Sequence, residues 1–376
     1  SGNANCSTGE EGIQDARRIR AACAELIGCP PDQVLYLSTG VIGARLPVEK
    51  ILDALPSLCA AASVNGLGEF AQAIMTTDLV PKVRTLSVED KSAPPFRVTG
   101  IAKGSGMIHP NMATMFGFLL TDAPAPSRAS APSASGSANA RGSSARTDGM
   151  LGFLRELSAQ SFHRLTVDGD TSPNDTVILW CTGLASTARG ASNRPAGNGS
   201  MPNASQLATG ASTGLATSSA RAAETELLTR SLLAVSRELC RMIAADGEGA
   251  TRLVTVQVRG APSEEAAAIV GRTIATSPLT KTAVHGRDPN WGRILAAAGR
   301  SGVPFDVEKA RVWIGEADVY SNGKPHPENE PTAHLHLLNH HEVILGIDLG
   351  AGRASADAWT CDFSADYVRI NADYRS

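Results

Sequence analysis

Short apolar runs of strand character and longer stretches with helical spacing follow one another along almost the whole of this 376-residue chain. That interleaving narrows the fold more than any other feature, because it excludes all-α and all-β architectures and predicts an α/β fold of the layered, α+β kind. Thr8 and Glu11 have the spacing of a capping box. After them Ile13, Ala16, Ile19, Cys23 and Leu26 keep a helical period until Gly28 and Pro30–Pro31 end it. Val34–Leu37 reads as a short buried strand running into Ser38–Thr39–Gly40. Val48–Leu58, Leu67–Met75, Met150–Phe162, Glu224–Ala245 and Ser263–Ala275 read as helices. Val98–Lys103, Met115–Leu120, Thr176–Cys181, Leu253–Val258, Arg311–Ile314, Glu342–Asp348 and Tyr367–Ile370 read as strands.

Two stretches, about 123–147 and 186–222, interrupt this alternation. They are rich in Ala, Ser and Gly with Pro or Asn, and carry few large apolar groups. Such a composition cannot offset the entropy of ordering, so both are expected to be flexible surface insertions rather than domain linkers.

The totals restrict function. Thirty-four basic and 37 acidic residues leave a net charge of -3, which gives no electrostatic footprint for nucleic acid or for an anionic membrane. No apolar run approaches the roughly 20 residues that span a bilayer. Seven cysteines without a CxxC pair point to buried thiols in a reducing compartment rather than to a disulfide framework or a zinc ribbon. The chain opens SGNANCSTGEEG, with neither an initiator Met nor a signal-peptide pattern, and a front portion is expected to precede it.

The segment richest in chemistry is GIAKGSGMIHPNMATMFGFLLTDA, Gly100 to Ala123. A strand delivers Lys103 into Gly104–Ser105–Gly106, where glycine permits tight turning and close backbone approach. Asn111–Met112–Ala113–Thr114 then sets a small residue before a Thr. Attack of the Thr hydroxyl on the preceding carbonyl would cut the chain and free an α-amine with an ordinary pKa of about 7.7–8.0. A Thr activated by its own terminal amine is an established nucleophile. Taken alone, a Thr at the head of an apolar strand is more often a packing residue.

KGSGMIHPNMATM resembles the self-cleavage motif of the ornithine acetyltransferase family, also called the bifunctional glutamate N-acetyltransferases of arginine biosynthesis. SGNANCSTGEEG is similar to that family's asparagine-rich entry motif, LSTGVIGARLP to its oxyanion segment and AIMTTDLVPK to its first substrate-contacting turn. DGDTSPNDT, DGEGATR, SPLTKTAVHGRDPNWGRI and DYVRINADYRS resemble later blocks, in order, so the resemblance runs from Ser1 to Ser376.

The resemblance implies a self-processing Thr-nucleophile acyltransferase. Cleavage between Ala113 and Thr114 would give a first chain of residues 1–113 and a second of residues 114–376. Thr114 would be the nucleophile, Thr39 and Gly40 the oxyanion hole, and Thr77, Lys103, Glu248, Asn371 and Ser376 substrate-binding residues. Lys103 suits a carboxylate and Glu248 an ammonium, although a strand-end charge and a helix-terminal acid are the plainer readings of each.

The implied reaction moves acetyl from N-acetylornithine to glutamate through acetyl-Thr, with acetyl-CoA as a further donor in bifunctional members. No cofactor or metal is implied. The implied assembly is a heterotetramer of two alpha and two beta chains, in the cytoplasm of a bacterium or the mitochondrial matrix or chloroplast of a eukaryote. Rival readings are a self-cleaving amidohydrolase or aminopeptidase, with water as acceptor, and a scaffold that keeps the fold without activity.

Departures from the family pattern are Ser376 in place of Thr, Pro173 within DGDTSPNDT, the two insertions and the missing front portion. His334, His336, His340 and His341 lack a carboxylate or Cys at ligand spacing and read as a solvated edge strand. Asp168, Asp170 and Asp175 lack EF-hand spacing and read as a turn whose carboxylates cap backbone donors. Gly104–Ser105–Gly106 matches no nucleotide fingerprint. Asn290–Trp291–Gly292–Arg293 suits either a cleft or a contact between chains.

Overall fold

The computed structural model describes residues 2–91, 93–110, 115–126, 143–187 and 218–373, the side chains of 143–148, 186–187 and 218 excepted. The first part is a small helical unit. β1 (Gly2–Asn3) pairs in parallel with β2 (Gly40–Val41), α1 (Gly9–Ile27) packs on α2 (Val48–Ala61), and α3 (Leu67–Ala73) follows. α1 ends at Gly28, whose left-handed φ of 74° turns its N–H back to the Ala24 carbonyl. Ile19 packs with Leu46, Val48, Tyr36, Ile51 and Leu52, which ties α1 to α2.

Two sheets form the body. The first has the order β3 (Lys82–Val88), β4 (Phe96–Lys103), β5 (Phe116–Thr121), β6 (Thr176–Cys181). Its first three strands are antiparallel, whereas β5 and β6 are parallel, joined by a crossover that carries α4 (Ser143–Ala159). After β6 come the short α5 (Leu184–Thr187) and the long α6 (Ser218–Ala245).

The second sheet is built from β7 (Leu253–Ala261), β8 (Arg311–Ile314), β9 (Ala317–Ser321), β10 (Lys324–Pro325), β11 (Glu342–Asp348) and β12 (Ala354–Cys361), in the order β10-β9-β8-β11-β7-β12. Its helices are α7 (Glu264–Ala275), α8 (Pro278–His285), α9 (Trp291–Gly299) and α10 (Glu330–Asn339), and α11 (Ala365–Asp373) closes the described chain.

α6 lies between the sheets. It touches β3 and β4 on one side and β7 and β12 on the other. Leu228, Leu232, Val235, Leu239 and Ile243 recur at three- and four-residue spacing and are all buried, as a helix covered on its apolar stripe requires. Val235 and Leu239 come so close to Gly100 that a Cβ there would sit 2.5 Å and 2.7 Å from them. The layered α/β reading therefore holds, with α6 as the middle layer. Among the described residues no helix is long and apolar enough to cross a membrane.

Several local expectations are corrected. Val34–Leu37 forms no strand pairing among the described residues, and Leu35 is 65% exposed; a strand needs a partner, and the pairing begins only at Gly40. Thr8 stands before α1 at φ -104° and ψ 3°, without the extended backbone of a capping residue. Its hydroxyl bonds to Asn5 Oδ1 at 2.9 Å instead.

Tyr367–Ile370 belongs to α11, where the Ser364 hydroxyl accepts from the Asp366 N–H at 3.2 Å and starts a helix despite the β-branched residues. His334 and His336 lie on α10, not on an edge strand. His336 accepts from the Ile344 N–H at 3.0 Å and stacks on His340 at 4.5 Å, one helical turn on. The insertions fall mostly outside the described residues, but residues 143–147 and 218–222 are helical, in α4 and α6. Of the cysteines only Cys240 and Cys361 are fully buried.

Candidate active site

β4 ends by sending Lys103 into a cavity of about 90 Å³ at the junction of the helical unit with the first sheet. Lys103 is 7% exposed, and its Nζ donates to Thr39 Oγ1 and Thr76 Oγ1, each at 3.0 Å. It also lies 5.9 Å over the Phe116 ring. Burial lowers its pKa, with Lys82 adding to that effect and Asp78, Asp175 and Glu248 opposing it.

Below Lys103 is a fully buried ion triad. Lys82 Nζ donates to Asp78 Oδ1 and Asp246 Oδ2, both at 2.6 Å. Asp78 also accepts the Gly104 N–H at 2.7 Å and the Thr76 N–H at 3.1 Å, and Asp246 accepts the Leu79 N–H at 3.0 Å. Three separate stretches are thereby fixed to one another: the Thr76–Val80 turn, the glycine turn after β4, and the end of α6. Ser105 extends the tie by donating to the Asp246 carbonyl at 2.6 Å.

The second wall comes from the helical unit. Gly40 adopts φ 129° and lies against β1 so tightly that a Cβ would be 2.1 Å from the Gly2 carbonyl carbon, so only glycine fits. Asn174 reaches across from the loop before β6. Its Nδ2 donates to the Ala4 carbonyl and, at 3.1 Å, to the Ser38 carbonyl. Thr39 and Gly40 are held at the cavity edge by this clasp.

Glu248 and Asn371 make the third wall. The Glu248 N–H donates to the Ser105 carbonyl at 3.0 Å, and Asn371 Nδ2 donates to Glu248 Oε2 at 2.9 Å. Gly106 lies beneath that carboxylate, where a Cβ would come within 2.3 Å of it. Thr77, Met107, Met115, Phe116, Ser172 and Asp175 complete the lining.

The backbone entering residue 111 is pinned. Asp168 accepts the N–H groups of Met107 at 2.6 Å and Ile108 at 2.9 Å, the capping role read from DGDTSPNDT. Arg272 donates to His109 Nε2 at 2.6 Å, so Nδ1 carries the proton and donates to Thr166 Oγ1 at 3.1 Å. Burial, reinforced by Arg272, lowers the His109 pKa to about 4, which keeps the imidazole neutral. On the far side, the Met115 carbonyl accepts the Thr176 N–H at 2.9 Å as β5 begins.

Thr39, Gly40, Thr77, Lys103, Glu248 and Asn371, far apart in sequence, thus face one cavity. Ala113, Thr114 and Ser376 lie outside the described residues. Met115, the residue after Thr114, lines the cavity. The sequence reading missed Thr76, the second acceptor for Lys103, and Asn174, the clasp on Ser38. It also placed Asp175 among the capping carboxylates, whereas among the described residues neither Asp175 oxygen bonds to any donor. Asp175 comes immediately before a strand whose first N–H bonds to Met115; that position was the available signal. In the Asn290–Arg293 block Asn290 caps α9 by accepting the Arg293 N–H at 3.1 Å, and Trp291 stacks on Tyr320 at 4.8 Å. Among the described residues no group of His, Cys, Asp and Glu is placed to hold a metal ion.

The model of the ArgJ family matches residues 1–376. The arginine biosynthesis bifunctional protein ArgJ of Thermosynechococcus vestitus is 40% identical over 388 residues, which cover 100% of this chain and 81% of that protein. The protein of the same description from Parasynechococcus marenigrum is 42% identical over 376 residues, covering 100% and 78%. A crystal structure of the arginine biosynthesis bifunctional protein argJ from Bacillus halodurans covers 60% of this chain and 92% of its own, at 33% identity and a TM-score of 0.49.

Proposed function

The chain belongs to the ArgJ family, and from that premise we propose how its cavity works. The protein is an acetyltransferase of arginine biosynthesis. It moves acetyl from N-acetylornithine to glutamate, giving ornithine and N-acetylglutamate, with acetyl-CoA as a second donor where the enzyme is bifunctional. The observation that carries the reading is the convergence of Thr39, Gly40, Thr77, Lys103, Glu248 and Asn371 on a cavity lined by Met115, the residue that follows Thr114.

In this reading Thr114 Oγ attacks the Ala113 carbonyl, and water releases the resulting ester. A first chain of residues 1–113 and a second of residues 114–376 remain, the second headed by Thr114. The freed α-amine takes the Thr114 hydroxyl proton as Oγ attacks the acetyl carbonyl of the donor. A tetrahedral oxyanion develops, and the Gly40 N–H and Thr39 hydroxyl stabilise it. Thr39 suits that task because its oxygen already accepts from Lys103 Nζ, so its own proton remains to be donated. The C–N bond then breaks, and the amine returns its proton to the departing ornithine. Glutamate attacks acetyl-Thr114 in the reverse sense.

Lys103 receives the α-carboxylate common to both amino acids. Glu248, held by Asn371, receives an ammonium, and Ser376 is a further substrate-binding residue. Two copies of each chain associate as a heterotetramer, in the cytoplasm or in an organelle matrix. In the complete gene product, gel electrophoresis with N-terminal sequencing should find a fragment beginning at Thr114, and Thr114→Ala should remain one chain. Incubation with N-acetylornithine alone should leave one acetyl group on the Thr114 fragment by mass spectrometry. Full activity in an uncut, unacetylated protein would falsify the mechanism.

A further inference from the structure

Asp175 is the one acid of the cavity that the proposed chemistry leaves without work. Both its carboxyl oxygens are inaccessible to solvent and meet no donor among the described residues, a costly arrangement for a group at the edge of a binding cavity. Its surroundings are sparse in charge. Lys103 on β4 faces it and Glu248 forms another wall. Arg155 on α4 and His163, just beyond that helix, line an adjoining cavity of about 190 Å³ that Asp175 also borders.

The two amino acids that this cavity must hold in turn differ in charge. Ornithine carries two ammonium groups and one carboxylate, whereas glutamate carries one ammonium and two carboxylates. Fixed charges that suit one are wrong for the other. Lys103 and Glu248 offer one charge of each sign, which serves the shared α-amino-acid core but not the differing ends.

We propose that Asp175 is a substrate-binding residue whose protonation follows the substrate: ionised against the ammonium groups of ornithine, and protonated, as a hydrogen-bond donor, against the carboxylates of glutamate. The inference rests on the acetyl-transfer reading of the cavity and adds to it how one pocket takes two oppositely charged substrates. When ornithine binds, the Asp175 carboxyl loses its proton to solvent and the carboxylate pairs with an ammonium. When glutamate binds, the carboxyl keeps its proton and no net exchange occurs. Burial raises the Asp175 pKa to about 9 against the opposing pull of Lys103, so the acid form prevails at neutral pH before substrate binds.

The test is calorimetric titration of the matured enzyme with ornithine, and separately with glutamate, near pH 7.5 in phosphate and in Tris. These buffers differ in protonation enthalpy and so count exchanged protons. Ornithine should release about one proton per site and glutamate close to none. Asp175→Asn should abolish the release and weaken ornithine by about 10- to 100-fold, the scale of a charge-assisted hydrogen bond, while glutamate binding shifts by no more than about threefold. Glu248→Gln should weaken ornithine yet keep the proton release. Binding with acetyl transfer but no proton release in the native enzyme overturns this proposal alone, as does undiminished release in Asp175→Asn. Binding of neither amino acid overturns the acetyl-transfer reading and this proposal together.

Discussion

Replacing Lys82 with Met tests whether the buried triad holds the cavity together. Asp78 Oδ1 and Asp246 Oδ2 are each 2.6 Å from Lys82 Nζ, so they are no more than about 5 Å from each other. Without the ammonium, two carboxylates at that separation repel by about 3 kcal/mol at an effective dielectric constant of about 20. Neither is left without donors, because Asp78 keeps the Gly104 and Thr76 N–H groups and Asp246 keeps that of Leu79. Lys82→Met should therefore cost about 3–5 kcal/mol at pH 7, the range for breaking a buried ion pair from one side.

The assay is urea unfolding in the Thr114→Ala background, which should unfold as one chain. The distinguishing variant is the double one: adding Asp78→Asn removes the repulsion and should restore up to about 3 kcal/mol. The pH dependence has a defined sign. Burial pushes the Asp78 carboxyl up, but Lys82 and the two N–H groups outweigh it and hold the pKa below the ordinary carboxylate value. Its contribution is full above the unfolded pKa of about 4 and is lost as pH falls through the folded one. The gap between native protein and Lys82→Met should narrow in acid. A double variant less stable than Lys82→Met, with a gap constant from pH 7 to 3, would show that the carboxylates do not share one charge and that the triad is not the brace described.

Two further outcomes follow from single contacts. Gly106→Ala places a methyl group where the Glu248 carboxylate now lies. Steady-state kinetics should show KM for both amino acids rising by about tenfold or more, the scale of a lost charged contact, while thermal stability stays close to native; unchanged KM would remove Glu248 from substrate binding. His109 is held neutral by burial and by Arg272, so the unfolded chain binds the proton more readily over the interval from about 6.5 to about 4. Tm should decline as pH falls through that interval and should decline less in His109→Gln, whose amide can accept from Arg272 and donate to Thr166; equal slopes would refute the assignment.

The fold class was legible because apolar periodicity survives in β6, β8 and β11, whose bounds match the expected segments residue for residue. It failed where a partner or a cap decides the outcome. Nothing in Val34–Leu37 reveals that no strand lies alongside, and nothing in Tyr367–Ile370 reveals the hydroxyl of Ser364 at the helix start. The site residues of the family motifs were legible as a set, since each sits in a short string with its own turn chemistry. Thr76 was hidden because its neighbour Thr77 carried the motif match, and its hydrogen bonds to Lys103 and Asp78 appear only in the folded chain. Asp175 was hidden by its company: Asp168 in the same string caps three backbone donors, and one-dimensional reading gives adjacent acids the same task.

The junction between residues 113 and 114 lies between two neighbouring strands of one sheet. β4 precedes it, β5 follows it, and six residue pairs from Val98↔Thr121 to Lys103↔Phe116 join them. α6, from the far side of the junction, also covers β3 and β4. Hydrolysis of that single bond would convert an intramolecular ladder into an intermolecular one without removing a contact. Only the effective concentration of one half at the other is lost, a term that matters while the halves are apart and hardly at all once they are joined. The cut protein should therefore persist as a complex whose separation requires unzipping the sheet. Halves supplied separately would have to find each other before the core shared by β4, β5 and α6 could form, so the topology favours folding first and cutting second.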